Sequence, residues 1–176
     1  MKAYTWFLIL IVGSFTGCYG DRIISDLLFE SYCNEYGRTG QFIYERVGLG
    51  EDYFIPIPKD PREVNEHFVV DGILMMNKTI LDQDYNFSEY KEVIPLSIIG
   101  PIYSLETSVI RKSDGKLLGK SVSLFNGQGW LAERNILGQN EGDRCPRGYD
   151  KKTNISESNS LHSTLYKNIF YINKNN

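Results

Sequence analysis

The chain has 176 residues, 41% hydrophobic and 13% aromatic, with 19 Lys and Arg against 22 Asp and Glu and a formal net charge of −3. Such a composition excludes a disordered chain, which would bury too little apolar surface to offset the cost of ordering. The mildly acidic balance gives no electrostatic footprint for nucleic acid and no polybasic patch for anionic lipid.

At the N-terminus, Lys2 precedes an unbroken apolar run from Trp6 to Val12, and Gly13 to Gly17 is small and weakly polar. Basic, apolar and small-residue segments in that order are the pattern of an export signal over residues 1–17. The run is far short of the roughly 20 residues that span hydrocarbon as a helix. Phe15-Thr16-Gly17-Cys18 resembles the lipobox of bacterial lipoproteins, with Phe15 where that family usually carries Leu. The resemblance implies a diacylglycerylated Cys18 as first residue of the mature chain, with 18–20 as a tether and 21–176 as a single domain. Tyr19, standing where Asp would favour retention in the inner membrane, implies the outer membrane, with the domain in the periplasm. Each buried methylene contributes about 0.8 kcal/mol, so acyl chains hold a protein to a membrane without basic charge. The other reading is an ordinary cleaved signal with Cys18 as a disulfide partner.

Further along, Asp21 can cap a helix over Arg22 to Tyr36, with Ile24, Leu27, Leu28 and Ser31-Tyr32 at helical spacing and Gly37 as its stop. Phe29, Cys33 and Tyr36 follow at i, i+4 and i+7, which turns the Cys toward the core. Gln41 to Val47 and Tyr53 to Ile57 read as strands, the second confined to an edge by Pro56 and Pro58. His67 to Leu81 suits either a strand pair broken at Asp71-Gly72 or a short helix after that turn. Asp82 to Lys91 reads as an exposed connection. Ile102 to Lys112 alternates, Ser113-Asp114-Gly115 supplies turn chemistry, and Lys116 to Phe125 returns as the second strand of a hairpin. Asn126 to Gly129 ends that strand, and Trp130-Leu131 are expected to fold back onto the sheet. Gln139 to Arg144 is a loop, Lys151 to Ser160 is polar enough for a mobile one, and Leu161 to Ile172 is a last strand or short helix. The expected fold is α+β, an N-terminal helix packed on a mainly antiparallel sheet.

Three cysteines are an odd count for an exported chain. With Cys18 lipidated, Cys33 and Cys145 remain, either bridged in an oxidising compartment or left as two buried thiols. A loop near 100 residues closed by a bridge contributes about 4.7 kcal/mol on chain-entropy grounds, against about 1 kcal/mol for a helix cap.

Several short pieces together resemble a group of small bacterial envelope lipoproteins: Phe29-Glu30 with Cys33, Ile43-Tyr44 with Val47, Asp114 to Gly119, Gly127-x-Gly129-Trp130-Leu131, and Cys145-Pro146. The resemblance implies a shared fold and a Cys33–Cys145 bridge. It carries no activity and no functional residues.

Catalytic signals are weak. His67 and His162 stand in no H-E-x-x-H or G-x-S-x-G setting, and each reads as a surface or edge residue. Glu30 with Glu45, or Asp82 with Asp84, could pair as carboxylates, but such pairs are common on solvated faces. Gly48-Leu49-Gly50 and Gly127-Gln128-Gly129 lack the helix and Lys of a phosphate cradle. Neither a metal nor a cofactor is expected. Tyr53, Phe54, Tyr85, Phe87 and Trp130 are the candidates for an aromatic binding surface, although each ring taken singly suits a β-rich core. The reading is therefore a non-catalytic envelope lipoprotein, held to the membrane by its N-terminal lipid and acting through protein or envelope-component contacts. The alternatives are a small envelope hydrolase with dispersed acid/base residues and an apolar-ligand carrier.

Overall fold

The computed structural model describes residues 20–35, 37–94, 100–129, 142–146, 149–150 and 155–173. The segment 1–17 read as an export signal, Cys18, Tyr36, Trp130-Leu131, Gln139 to Glu141 and Lys151 to Asn154 lie outside them.

Helix α1 spans residues 20–33, ending three residues short of the expected Tyr36, and Gly37 takes a φ of 77° in the turn that follows. Its buried stripe is Ser25, Phe29 and Tyr32, while Leu27 is 66% and Ile24 41% exposed. The buried face thus follows the Phe29 series rather than the Ile24–Leu27 one, because Ser25 has a buried polar partner. In chain order there follow β1 (Gly40–Ile43), β2 (Val47–Leu49), β3 (Phe54–Pro56), β4 (Leu74–Met76) and α2 (Lys78–Asp84). Then come β5 (Tyr85–Val93), β6 (Ile102–Arg111), β7 (Leu117–Asn126), β8 (Arg144–Cys145), β9 (Tyr149–Asp150), β10 (Ile155–Ser156), α3 (Glu157–Ile169) and β11 (Phe170–Ile172).

The fold class is α+β, as the sequence suggests. The main sheet runs β1-β7-β6-β5 with β8 also on β7, and every pairing in it is antiparallel. The β6–β7 hairpin is the one expected. Gly115 takes a φ of 69° in its turn, and Asp114 Oδ1 accepts from the Lys116 amide at 3.0 Å. The expected strand Gln41 to Val47 divides instead into β1 on the sheet and β2, which pairs in parallel with β11. β3 and β4 form a separate antiparallel pair, which places Pro56 at a strand end.

Two segments differ from the sequence reading. Asp82 to Lys91 is not a connection: it holds the end of α2 and most of β5, the nine-residue outer strand of the sheet. Its polar side chains fit a strand that solvent reaches. Helix α3 starts at Glu157, inside the stretch read as a mobile loop. Leu161, Leu165 and Ile169 repeat every four residues, so burial of that stripe overrides the Ser- and Asn-rich first turn.

Successive residues of a strand point to opposite faces, and the two helices divide those faces. Val109 and Leu118 pack with Leu165, Tyr166 and Ile169 of α3, joined by Leu49, Phe68, Met76, Leu81, Tyr85 and Phe170. Ile102 and Leu124 pack with Phe29 and Tyr32 of α1, joined by Ile94 and Cys145. Gly119 lets α3 come close, since a Cβ there would meet both Ile169 Cδ1 and Phe42 O at 3.0 Å.

Helix α1 is fastened twice. The Ser25 hydroxyl donates to Asn126 Oδ1 at 2.6 Å, and Asn126 Nδ2 donates to Asp26 Oδ1 at 2.7 Å, with Ser25 and Asn126 both 0% exposed. At the other end Cys33 and Cys145 form a disulfide with Cα atoms 5.8 Å apart across 112 residues of chain.

Candidate functional site

The α3 face of the sheet carries a row of hydroxyls. Thr107 on β6 pairs with Ser121 on β7, and Ser123 stands two residues further on the same face. α3 lays His162 over them. Its Nδ1 lies 2.8 Å from both Thr107 Oγ1 and Ser121 Oγ, and its Nε2 lies 2.9 Å from Ser123 Oγ. The three hydroxyl residues are at most 7% exposed. A neutral imidazole has one N–H and one lone pair, and hydroxyls can rotate to serve either. Burial lowers the His162 pKa, the Glu89 carboxylate opposes that shift, and His67 adds to it. The favoured form is thus the neutral ring.

Two clefts flank this imidazole and share Glu89, Leu105 and His162 in their walls. The larger, of about 430 Å³, has an aromatic side of Phe68, Phe87 and Tyr166 and a polar side with His67 and Lys78. Phe68 stacks on Tyr166 at 4.9 Å, and Phe87 meets Tyr166 edge-on at 5.2 Å. The smaller, of about 310 Å³, is built on the cross-strand pair Tyr103 and Phe125, whose rings stack at 6.1 Å. Lys91 Nζ lies 4.3 Å from the Tyr103 ring centre, and the Arg144 guanidinium lies 5.5 Å from that of Phe125. Among the described residues the walls therefore hold three Lys or Arg (Lys78, Lys91, Arg144) against one carboxylate, Glu89, on a chain whose net charge is −3.

Of the expected aromatic set, the four described residues are divided between core and cleft. Tyr85 is 7% exposed and packs its ring 4.8 Å from Phe170 in the core. Tyr53 and Phe54 lean on the same core, and the Tyr53 hydroxyl donates to Asp84 Oδ2. Of the four described, Phe87 alone lines either of these two clefts, and Trp130 lies outside the described residues. The carboxylate pairs stay apart from the clefts. Glu45 bonds Lys116 and Arg111, which hold its pKa below the ordinary carboxylate value, and Asp84 serves Tyr53. His67 is exposed on the cleft rim, whereas His162 is not the surface residue expected, because α3 turns it onto the sheet.

Sequence reasoning thus missed His162, the hydroxyl row and the cations. One trace was available: Ser121 and Ser123 alternate with Val122 and Leu124, which puts hydroxyls on a strand face that would otherwise be apolar. Among the described residues no group of three or more His, Cys, Asp or Glu is placed to hold a metal ion, and no helix is long and apolar enough to cross a membrane. Comparison with protein-family models, curated proteins and solved structures finds no match.

Proposed function

We propose that the protein is a non-catalytic lipoprotein of the cell envelope, anchored through Cys18, that binds an anionic envelope component in the clefts beside His162. The observation that carries the binding part is the gathering of Lys78, Lys91 and Arg144 around those clefts on an otherwise acidic chain. Cations beside aromatic faces suit a carboxylate or phosphate next to an apolar or ring-shaped group. The export pattern over residues 1–17, the lipobox-like Phe15 to Cys18 and the likeness to small envelope lipoproteins support the anchor and the outer-membrane location. The Cys33–Cys145 bridge suits an oxidising compartment.

The competing reading is a hydrolase, and the 2.9 Å approach of Ser123 to His162 is what favours it. Two features count against it. A serine nucleophile ordinarily sits on a sharp exposed turn, whereas Ser123 lies inside β7. A catalytic imidazole is oriented by a carboxylate on Nδ1, and here Thr107 and Ser121 hydroxyls occupy that position. An apolar-ligand carrier needs an apolar cavity, and these clefts carry charge. Radiolabelled palmitate tests the anchor: the wild type takes up label and partitions with membranes, and a Cys18→Ala variant that still does both defeats it. A fluorophosphonate probe tests the chemistry: labelling of Ser123 would establish the hydrolase instead.

A further inference from the structure

β5 is the outer strand of the main sheet, and among the described residues β6 is its one partner strand. From Ser88 to Val93 every residue is exposed, including Tyr90 at 61% and Val93 at 51%. An outer strand this long is a template for another chain, and proteins ordinarily block it with charge or proline. β5 contains no proline, and its charges are spaced for pairing. A two-fold axis normal to the sheet joins two copies of β5 antiparallel and sets residues whose numbers share a constant even sum opposite each other. Centred on Tyr90, that operation places Glu89 opposite the partner's Lys91, Lys91 opposite the partner's Glu89, and Phe87 opposite the partner's Val93. Centring on Glu89, Lys91 or Glu92 instead sets like charges face to face on the axis. Centring on Ser88 leaves Lys91 and Glu89 opposite aromatic rings. Opposite charges directly across a strand pair stabilise it, and like charges destabilise it.

We propose that β5 is a homodimerisation edge, through which two copies join their sheets antiparallel about a two-fold axis at Tyr90. The pairing brings the partner's Lys91 to Glu89, the one carboxylate among the described residues that lines both clefts, so the two binding faces meet across the axis.

The test uses the full-length protein, in cells and after detergent extraction. Tyr90→Cys stands opposite its own copy, within disulfide reach of about 4.4–6.8 Å between Cα atoms, and is expected to form a covalent dimer on non-reducing gels. Asn86→Cys, exposed on the same strand face, lies about 27 Å from its copy at 3.4 Å per residue and is expected to stay monomeric. In sedimentation the wild type is expected to run as a dimer. Glu89→Lys and Lys91→Glu each set like charges across the axis and are expected to run as monomers, while the double exchange restores the opposite pairs and the dimer. A monomeric wild type overturns the proposal. So does a folded double variant that stays monomeric, or cross-linking through residue 86 as complete as through residue 90.

Discussion

Ser123 Oγ lies 2.9 Å from His162 Nε2, with the serine 7% exposed in the interior of β7. The pair has the contact of a nucleophile and its base without the setting of one. Its surroundings place it on the polar floor between the two clefts. The imidazole offers one N–H and one lone pair to hydroxyls that α3 covers, and a buried hydroxyl left unpaired costs about 1–3 kcal/mol.

The same burial makes His162 a pH-sensitive part of the fold. Its folded pKa lies below the ordinary 6.5, so the unfolded chain binds the proton more tightly. Its contribution is complete above the unfolded value and is lost as pH falls through 6.5 toward the folded value. Denaturant melts across that range should show stability dropping toward acid, with a flatter profile for His162→Gln. An imidazole resonance for His162 that titrates above 6.5 would contradict this.

The bridge holds α1 to the strand that completes the sheet. Cys145→Ala should lower stability by about 2–5 kcal/mol in denaturant melts. Hydrogen exchange should rise over residues 20–33 more than over the β6–β7 hairpin. Equal stability in the presence and absence of reductant would remove this role.

Asn126 is the second fastening. Its replacement by Leu leaves the Ser25 hydroxyl only the Gly100 carbonyl at 3.4 Å in place of its 2.6 Å acceptor, and the Gln128 amide without its 2.9 Å one. Each buried group left unsatisfied costs about 1–3 kcal/mol, so Asn126→Leu should destabilise more than Ser25→Ala, which leaves Asn126 Oδ1 bonded to Gln128. Thermal melts of the two variants side by side give the order. Ser25→Ala proving the worse would break the argument.

The parts of the fold that the sequence makes legible are those with local cause. The β6–β7 hairpin shows alternation with a glycine where the turn takes positive φ. What the sequence hides depends on distant partners. The exposed Ile24 and Leu27 and the buried Ser25 invert the simple expectation for α1, because Ser25 is matched by an Asn126 that lies 101 residues away. His162 reads as part of a polar tail, since its hydroxyl partners stand 55, 41 and 39 residues back in the chain. Of the aromatic candidates, Tyr85 is withdrawn from the surface because burying its ring against Phe170 stabilises more than exposing it.

The binding claim is tested most directly by photo-crosslinking in the native envelope. A benzoyl-phenylalanine at His67, on the rim of the larger cleft, should capture a component bearing carboxylate or phosphate, and the same group at the outlying Lys59 should not. Reversing the cleft charge with Lys78→Glu and Arg144→Glu should abolish the His67 adduct in a protein that remains folded. An adduct that survives both reversals, or none from the wild-type cleft, would contradict the account.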